Sequence, residues 1–386
     1  MSKNLIYILN SYNEQESSHF HHVINLLEEL ASQNVKITLL IEKAYATPVF
    51  SNKNIEIVCL KKRGVSRLVE LFRYVYMRCK NQQCSIFIRI TSISAVISSL
   101  ASCFSSSKVF FWQSGTTHEW DWSQPKSLKK LKWFFKSYLP SYTARKLVDR
   151  FVTGPEYMAD YYNRVVGLDK GKIRVLYNDI ELKRFKKAEG EIGSFKDSFY
   201  ENMPEALNKK IILLVHKMSP VRRTTMYIPS CLVEAYHKNE NVLFLIVGGG
   251  AELPDIQRAV KEQGMESRVK FMGEIPNKEI QKLYSLASIF IHPTYNEGFP
   301  RVMLEAMASG LPFVSTDAGG VFDITPPELH KFISPRDSID QFSHNLVSLL
   351  EDEVMWEKYG NIAQSYVERF DTPVIAKMYK RVLFDD

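Results

Sequence analysis

The sequence lacks any apolar run of about 18 or more residues, the length that a membrane-spanning helix requires. Residues 93–112 come closest, but serines interrupt them. The amino-terminal apolar strand, Leu5–Leu9, is too short to be the apolar core of a signal peptide. The sequence therefore predicts neither a spanning helix nor a secretory leader.

Cysteine is also scarce. The sequence has five cysteines, at positions 59, 79, 84, 103 and 231. Their spacing matches no metal-ligand pattern, so we expect neither a cysteine-bound metal nor a disulfide partner, as is usual in a reducing cytosol. His19, His21 and His22 lie close in sequence, but their spacing spreads them around a helix and does not favour a metal site.

Acidic residues are depleted from the first half of the chain. Residues 1–178 contain 25 lysines and arginines against 13 acids, whereas residues 179–386 contain 25 against 30. A basic half joined to an acidic half indicates that one half faces an anionic surface.

The segment 126–146, KSLKKLKWFFKSYLPSYTARK, has seven cations and no acid, with aromatic and leucine residues between them. This pattern predicts an interfacial helix on an anionic membrane surface. A groove for single-stranded nucleic acid or a plain solvated helix face would have a similar composition. No nucleic-acid-binding motif accompanies the segment, so we favour the membrane and expect no nucleic acid partner. The expected membrane contacts are Lys126, Lys129, Lys130, Lys132, Trp133 and Lys136.

The chain is long enough for two domains, and its 45% hydrophobic and 24% charged content is typical of globular proteins. Short apolar strands alternate with amphipathic helices, which predicts α/β architecture. The predicted strands include Leu5–Leu9, Val35–Ile41, Ile55–Leu60, Ile86–Ile90, Val109–Trp112, Ile211–Val215, Val242–Val247, Val269–Phe271, Ile289–Ile291 and Leu311–Ser315.

The stretch 289–320 has the most informative pattern. An apolar strand breaks at His292 and Pro293, and a helix is predicted to begin near Pro300 and to end before Gly310. The amino terminus of that helix would face the loop, and its unpaired N–H groups favour phosphate or another anion.

Glu305 lies in this almost wholly apolar helix, where an unpaired carboxylate would be costly. We therefore expect it to have a dedicated hydrogen-bond donor, such as the hydroxyls of a ribose. Pairing of Glu305 with a structural arginine is the alternative. Glu297, eight residues earlier, either lies beside the anion site or caps the helix.

The pattern E-x7-E in EGFPRVMLE, followed by AMASGLPFVSTDAGG, resembles the donor-site signature of retaining glycosyltransferases of family 4. The resemblance implies two Rossmann-like α/β domains facing a cleft (the GT-B fold), with a C-terminal helix crossing back to the first domain. The expected boundaries are 1–180 for the acceptor-side domain, 181–210 for a linker or insertion, 211–370 for the nucleotide-sugar domain and 371–386 for the returning helix.

The resemblance also implies roles for residues of the second domain. Lys217 and Arg222 match the cations that grip the donor diphosphate, with the two residue types exchanged; a solvated loop is the alternative. Glu297 would hold the donor sugar. The expected nucleotide and diphosphate contacts are Lys217, Arg222, Ile275, Gly298, Phe299, Pro300, Arg301, Val302 and Glu305.

In the first domain, His118 follows the predicted strand Val109–Trp112 and resembles the family's histidine near the reacting sugar. A packed structural histidine is the alternative. The other expected acceptor-side residues are Ser17, Ser18, His22 and Glu119, with the two serines standing where the family usually has two glycines.

The sequence has no D-x-D pair to hold a metal, so we expect no metal or cofactor. The implied reaction is retaining transfer from a nucleoside-diphosphate sugar to a lipid-linked glycan in bacterial surface-polysaccharide assembly, on the inner face of the cytoplasmic membrane. A small soluble acceptor, a sugar-nucleotide epimerase or phosphorylase, and a non-catalytic partner of a glycosylation complex are the alternatives.

Overall fold

The computed structural model describes residues 3–13, 21–115, 131, 133–185, 189–277 and 279–385, with the backbone alone at 21 and 189–192. The chain forms two compact units. The first consists of residues 1–179 together with 372–386, and the second of residues 180–371.

The first unit is built on a seven-stranded parallel sheet in the order β3-β2-β1-β4-β5-β6-β7. Its strands are β1 Lys3–Leu9, β2 Val35–Ile41, β3 Ile55–Cys59, β4 Ser85–Arg89, β5 Lys108–Trp112, β6 Arg150–Thr153 and β7 Ile173–Val175. The central strands are buried almost throughout because helices cover both faces, which explains their near-continuous apolar sequences.

Helices and a π-helical turn, Phe134–Tyr138, connect these strands. The helices are α1 His21–Ser32, α2 Gly64–Asn81, α3 Ser92–Ser102, α4 Leu139–Leu147 and α5 Glu156–Arg164. The serine-interrupted stretch noted in the sequence contains α3. Ser94, Ser98 and Ser102 are buried at i, i+4 and i+8, so small serines line its inner face.

The second unit has a six-stranded parallel sheet in the order β10-β9-β8-β11-β12-β13. Its strands are β8 Lys210–Val215, β9 Val242–Val247, β10 Val269–Gly273, β11 Ile289–His292, β12 Phe313–Thr316 and β13 Ile333–Ser334. Its helices are α6 Leu182–Phe185, α7 Glu189–Asn202, α8 Ser230–Lys238, α9 Leu253–Glu262, α10 Ile280–Tyr284, α11 Arg301–Ala308, α12 Val321–Ile324, α13 Ile339–Glu351 and α14 Val354–Val367.

The order of strands in the second sheet reverses between β8 and β11. From β8 the chain adds β9 and β10 on one side, whereas β11 is followed by β12 and β13 on the other. Because all the pairings are parallel, the carboxyl ends of β8 and β11 lie side by side. Open α/β sheets bind ligands at such a reversal.

The last helix, α15 Thr372–Phe384, packs against α1 and the sheet of the first unit. The ring of Tyr379 lies 5.6 Å from that of Phe87, and the Ser85 hydroxyl donates a hydrogen bond of 2.6 Å to the carbonyl of Leu383. The predicted fold class, two parallel-sheet α/β domains with a returning C-terminal helix, is therefore confirmed.

The polar region 181–210, expected to be a linker or insertion, contains the 14-residue helix α7 and belongs to the second unit. Phe195 and Phe199, one turn apart, place their ring centroids 6.2 Å from each other, and Phe199 is buried. Two glycines in this segment masked its helical character in the sequence.

No helix in the described part of the chain is both long and apolar enough to cross a bilayer.

Candidate functional site

An ion pair links the two loops that follow β8 and β11. The guanidinium of Arg222 contacts the carboxylate of Glu297, and both side chains are largely buried. The backbone N–H of Tyr295 also donates to the carbonyl of Arg222 at 2.8 Å. The two loops therefore form one structure at the carboxyl edge of the sheet.

The buried carboxylate of Glu252, which precedes α9, binds the loop after β8 through hydrogen bonds. Its oxygens accept hydrogen bonds of 3.0 Å from the backbone N–H of Thr224 and from the hydroxyl of Thr225. These bonds fix the segment immediately after Arg222 and so restrict where its backbone lies.

The glycine triplet after β9 supports the same loop. A Cβ atom added at Gly248 or Gly250 would lie 2.0 Å from the carbonyl oxygen of His216 or Met218, respectively. Both glycines also have positive φ angles. Only glycine allows this close approach, so the triplet serves as a backbone support for the residues around Lys217.

The loop after β11 depends on a glycine in the same way. Gly319, which follows β12, has a φ of 62°, and an added Cβ would lie 2.0 Å from the carbonyl oxygen of Glu297. The backbone N–H of Gly298 donates to the Glu297 carboxylate at 3.0 Å. The position of Glu297 is thus fixed by its own loop and by its neighbour.

Helix α11 begins at this loop. Pro300 is the N-cap, with a φ of −77° and a ψ of 93°, so the helix begins one residue later than the sequence suggested. The first N–H groups of a helix have no partner within the helix, and they carry partial positive charge. This end of α11 can therefore accept an anion next to Arg222.

Glu305 is 6% exposed, and its carboxylate accepts a hydrogen bond of 2.9 Å from the hydroxyl of Tyr284. Burial raises the pKa of Glu305, while Arg301, the Tyr284 hydroxyl and Arg184 oppose the increase. The hydrogen-bond donor that we expected for Glu305 is therefore the hydroxyl of Tyr284 within the protein. Arg301 and Arg184 contribute through their charges.

Two buried histidines, His216 and His292, lie close enough to Arg222 to interact with its charge. Their ring centroids are 5.7 Å apart with an interplanar angle of 79°. Nδ1 of His216 lies 2.8 Å from the hydroxyl of Thr224, and Nδ1 of His292 lies 3.3 Å from that of Ser315.

Both imidazoles are held in the neutral form. Burial lowers the pKa of His292 to about 4, with Glu297 opposing and Arg222 reinforcing the shift. Burial, Arg222 and His292 place the pKa of His216 well below its ordinary value. The sequence alone predicts no role for these two histidines. The available signal was a histidine at or just after the end of each of two apolar strands.

Several predicted donor contacts occupy the same edge of the sheet. Lys217 is exposed two residues after the end of β8, and Ile275 is half-buried two residues after the end of β10. Gly298, Phe299 and Pro300 are buried in the loop before α11. Arg301 and Val302, in its first turn, are half-buried.

Other predicted site residues lie outside the described part of the chain. These are Ser17, Ser18, His118, Glu119, Lys126, Lys129, Lys130 and Lys132. Three further predicted contacts are described. His22 is half-buried in α1, Trp133 is half-buried with its ring 5.6 Å from that of Tyr138, and Lys136 is exposed.

Among the residues that the structure describes, no three histidine, cysteine or acidic side chains form a group that could hold a metal ion. The described site instead provides two cations, a helix amino terminus and two carboxylates. Such groups can bind an anion and accept hydrogen bonds from hydroxyls.

The second unit matches a known family. Residues 196–366 match the family model described as "Glycosyl transferases group 1". This region is therefore similar to glycosyltransferase group 1 domains, which supports the coarser part of the resemblance found in the sequence. The match covers less than half of the chain.

Curated relatives share only part of their length with this chain. The D-inositol 3-phosphate glycosyltransferase of Streptomyces bingchenggensis is 24% identical over 230 residues, which cover 58% of this chain and 50% of the relative. The phosphatidylinositol N-acetylglucosaminyltransferase GPI3 subunit of Saccharomyces cerevisiae is 22% identical over 125 residues, or 32% and 27% of the two chains. The chain thus spans half or less of these relatives.

Solved structures match over the whole chain. The crystal structure of Anabaena HepE in complex with UDP-glucose has a TM-score of 0.75, covering 99% of this chain and 100% of that one. The two sequences are 16% identical, so this similarity establishes the fold alone.

Proposed function

We propose that this protein transfers a sugar from a nucleoside-diphosphate sugar to an acceptor held at a membrane, with retention of the anomeric configuration. The observation that carries the proposal is the meeting of Arg222, Glu297 and the amino terminus of α11 at the strand reversal of a glycosyltransferase group 1 domain.

The donor diphosphate would take the place of Glu297 as the partner of Arg222. Lys217 and the first N–H groups of α11 would complete the contacts to the phosphate oxygens. Glu297, released from Arg222, would accept hydrogen bonds from the hydroxyls of the donor sugar. The ribose would lie near Glu305 and the base near the backbone of Ile275.

Catalysis would depend on these fixed charges. The bond between the anomeric carbon and the diphosphate oxygen breaks, and negative charge develops on the leaving phosphate. Lys217, Arg222 and the helix N–H groups stabilise that charge without a metal ion. The acceptor oxygen attacks on the same face and passes its proton to the departing phosphate. No carboxylate acts as a nucleophile, and His118 would lie beside the reacting sugar.

The acceptor is inferred from the basic, aromatic segment in the first unit. Phe135, Leu139 and Tyr142 are exposed, Lys136 follows Phe135, and the ammonium of Lys146 lies 5.7 Å from the centroid of the Tyr142 ring. This composition suits the interface of an anionic membrane, where a lipid-linked glycan in surface-polysaccharide assembly would be reached. The protein would then act at the cytoplasmic face of that membrane.

The names of the relatives point to both acceptor classes. One names an inositol phosphate, and the other a phosphatidylinositol. A small soluble acceptor is therefore the second candidate. An epimerase would use the same diphosphate contacts, and a phosphorylase would bind inorganic phosphate, but neither would leave a new glycosidic bond from the sugar nucleotide in the membrane fraction.

The test is incubation of the protein with radiolabelled UDP-, GDP- and ADP-sugars and bacterial membrane extract. UDP-glucose is the first donor to examine, because the Anabaena structure contains it. The proposal requires sugar in the lipid-extractable product, with retained configuration by NMR. Transfer only to soluble acceptors would reject the membrane-held acceptor, and an inverted product would reject the retaining mechanism. An Arg222→Gln variant is the negative control.

A further inference from the structure

Helix α2 of the first unit carries a line of large apolar side chains on its solvent side. Val65, Val69, Phe72 and Tyr76 are 76%, 45%, 37% and 39% exposed, respectively. They follow one another at i, i+4, i+7 and i+11, the spacing that places side chains along one face of a helix. The rings of Phe72 and Tyr76 stack with their centroids 6.2 Å apart.

This line is separate from the face by which α2 packs on the sheet. The buried residues of α2 are Leu71, Val75 and Cys79, which join the hydrophobic core of the first unit. At 3.6 residues per turn, the two lines lie about 90° apart around the helix. The fully buried residues of α2 therefore lie on a different face from the exposed line.

Cations flank the exposed line. Arg73 and Lys80 lie next to it around the helix, and Lys61, Lys62 and Arg63 precede its first turn, all of them exposed. Glu70 is the only acid in α2, and it accepts hydrogen bonds of 3.3 Å and 3.0 Å from the backbone N–H groups of Lys61 and Lys62. The surface around the apolar line is therefore strongly positive.

The helices adjacent to α2 also expose apolar side chains. α3 packs against α2, and α4 packs against α3. α3 exposes Ile93 and Leu100 at i and i+7, and the segment leading into α4 exposes Phe135 and Leu139 at i and i+4. Exposed apolar residues on three adjacent helices are more than the isolated ones that globular surfaces normally carry.

We propose that α2 is a membrane-binding helix, whose exposed line inserts into the interface of an anionic bilayer. The apolar line would contact the acyl chains of the bilayer, and the lysines and arginines beside it would contact the anionic headgroups. This deepens the proposed function by assigning the membrane contact to residues outside the basic segment 126–146.

Vesicle sedimentation tests this directly. The purified protein is mixed with vesicles of phosphatidylcholine, either alone or with about 30% anionic phosphatidylglycerol, at low and at high salt. We expect binding to the anionic vesicles only, and weaker binding at high salt because the headgroup attraction is screened. No sugar nucleotide is present, so failure of the proposed transfer reaction would leave this result unaffected.

Substitutions in α2 separate the contributions of its aromatic and its basic side chains to vesicle binding. A double variant, Phe72→Ser with Tyr76→Ser, should lower the partition coefficient by at least about tenfold, since two aromatic anchors are lost. Arg73→Gln with Lys80→Gln should lower it by roughly tenfold or more at low salt. Val354→Ser is the matched control, because Val354 is 89% exposed on α14 of the second unit. This control should bind like the wild type.

Two results would overturn the proposal. One is wild-type binding by the α2 variants, with binding lost only when Lys129, Lys130 and Lys132 are changed to Glu. The other is a wild-type dimer that becomes monomeric in the Phe72→Ser, Tyr76→Ser variant by light scattering, because the line would then be an interface between two copies. Circular dichroism of each variant establishes that its fold is intact.

Discussion

Arg222 and Glu297 are bound to each other across two loops, although the sequence assigns them to different parts of the ligand. The cation was expected to contact the diphosphate and the carboxylate to contact the sugar. The two charges neutralise each other, and both side chains are largely shielded from water. A nucleoside-diphosphate donor that binds as proposed would exchange the Arg222–Glu297 ion pair for one between Arg222 and a phosphate group.

Replacement of Glu297 should therefore separate binding from catalysis. In Glu297→Gln, Arg222 loses its competing partner, and the affinity for UDP, GDP or ADP should rise by up to about fivefold, the usual range of such a pair. Sugar transfer should fall, because the contact to the donor sugar is lost. Calorimetry and a transfer assay measure the two effects. A fall in nucleotide affinity would contradict the exchange of partners.

Replacement of Arg222 should have the opposite effect on binding. Arg222→Gln should weaken nucleoside-diphosphate binding by about 10- to 100-fold and turnover by about 10²- to 10³-fold, since a charge-assisted contact to the leaving group is removed. Arg258→Gln is a suitable control, as Arg258 pairs with Asp255 on α9 of the same unit. Equal effects from the two arginines would refute the assignment.

Glu305 and Tyr284 can be tested as a pair. Glu305→Ala should weaken nucleotide binding by about 10- to 100-fold while the protein stays folded, since a charged hydrogen-bond acceptor for the ribose is lost. Tyr284→Phe keeps the carboxylate and should destabilise the protein by about 1–3 kcal/mol with a much smaller change in affinity. Unchanged nucleotide affinity in Glu305→Ala would show that the carboxylate serves Tyr284 alone.

The buried histidines predict an acid-sensitive fold. Burial lowers the pKa of His292 from its ordinary value of 6.5 to about 4. Between these values the unfolded chain binds a proton at this histidine and the folded chain does not. The stability contributed by the neutral form is complete above pH 6.5 and is lost as pH falls towards 4. The loss from this residue should reach about 3 kcal/mol.

Urea unfolding of the wild type and of His292→Gln between pH 4 and pH 7.5 would measure this effect. The free energy of unfolding of the variant should change less steeply with pH. His237→Gln, on the exposed side of α8, should keep the wild-type slope. Identical slopes for His292→Gln and the wild type would exclude His292 as the source.

Gly319→Ala should disturb the site without touching a ligand. The added methyl group would meet the carbonyl of Glu297 at 2.0 Å, and alanine does not favour a φ of 62°. We expect a destabilisation of at least about 1 kcal/mol and a loss of transfer activity. Gly264→Ala provides the control for backbone strain, because its φ is 66° but nothing lies within 4 Å of an added Cβ. Similar transfer activity in the two variants would show that the close approach of Gly319 to Glu297 is not needed to position Glu297.

Metal removal should leave the reaction intact. The proposed leaving-group stabilisation depends on Lys217, Arg222 and the start of α11, so EDTA should change turnover by less than about twofold. The assay is run with chelator, and then with added Mg²⁺ or Mn²⁺. Abolition of turnover by chelator and its recovery with a divalent cation would require a different mechanism.

The positions of the β-strands were the part of the fold that the sequence predicted best. Ile211–Val215 and Val242–Val247 are uninterrupted apolar runs because both faces of the sheet are covered. Helices α7 and α3 have weaker sequence signals, because α7 contains two glycines and the inner face of α3 consists of serines, which are more often exposed than buried. In both cases the tertiary packing outweighed the local signal.

The candidate site was predicted as a set of residues but not as a set of contacts. The E-x7-E spacing identified Glu297 and Glu305, yet their partners, Arg222 and Tyr284, lie 75 and 21 residues away. Distant pairings of this kind depend on the order of strands in the sheet. His216 and His292 were missed for the same reason, since each looks unremarkable until β8 and β11 are placed side by side.

The return of α15 to the first unit has a consequence for the order of folding. Domains generally fold as units and from the amino terminus during synthesis. Here the first unit lacks the helix that covers α1 until residues 372–385 have been made, whereas residues 180–371 form an uninterrupted unit. Although it is translated first, the amino-terminal half can complete its core only after the other half has left the ribosome.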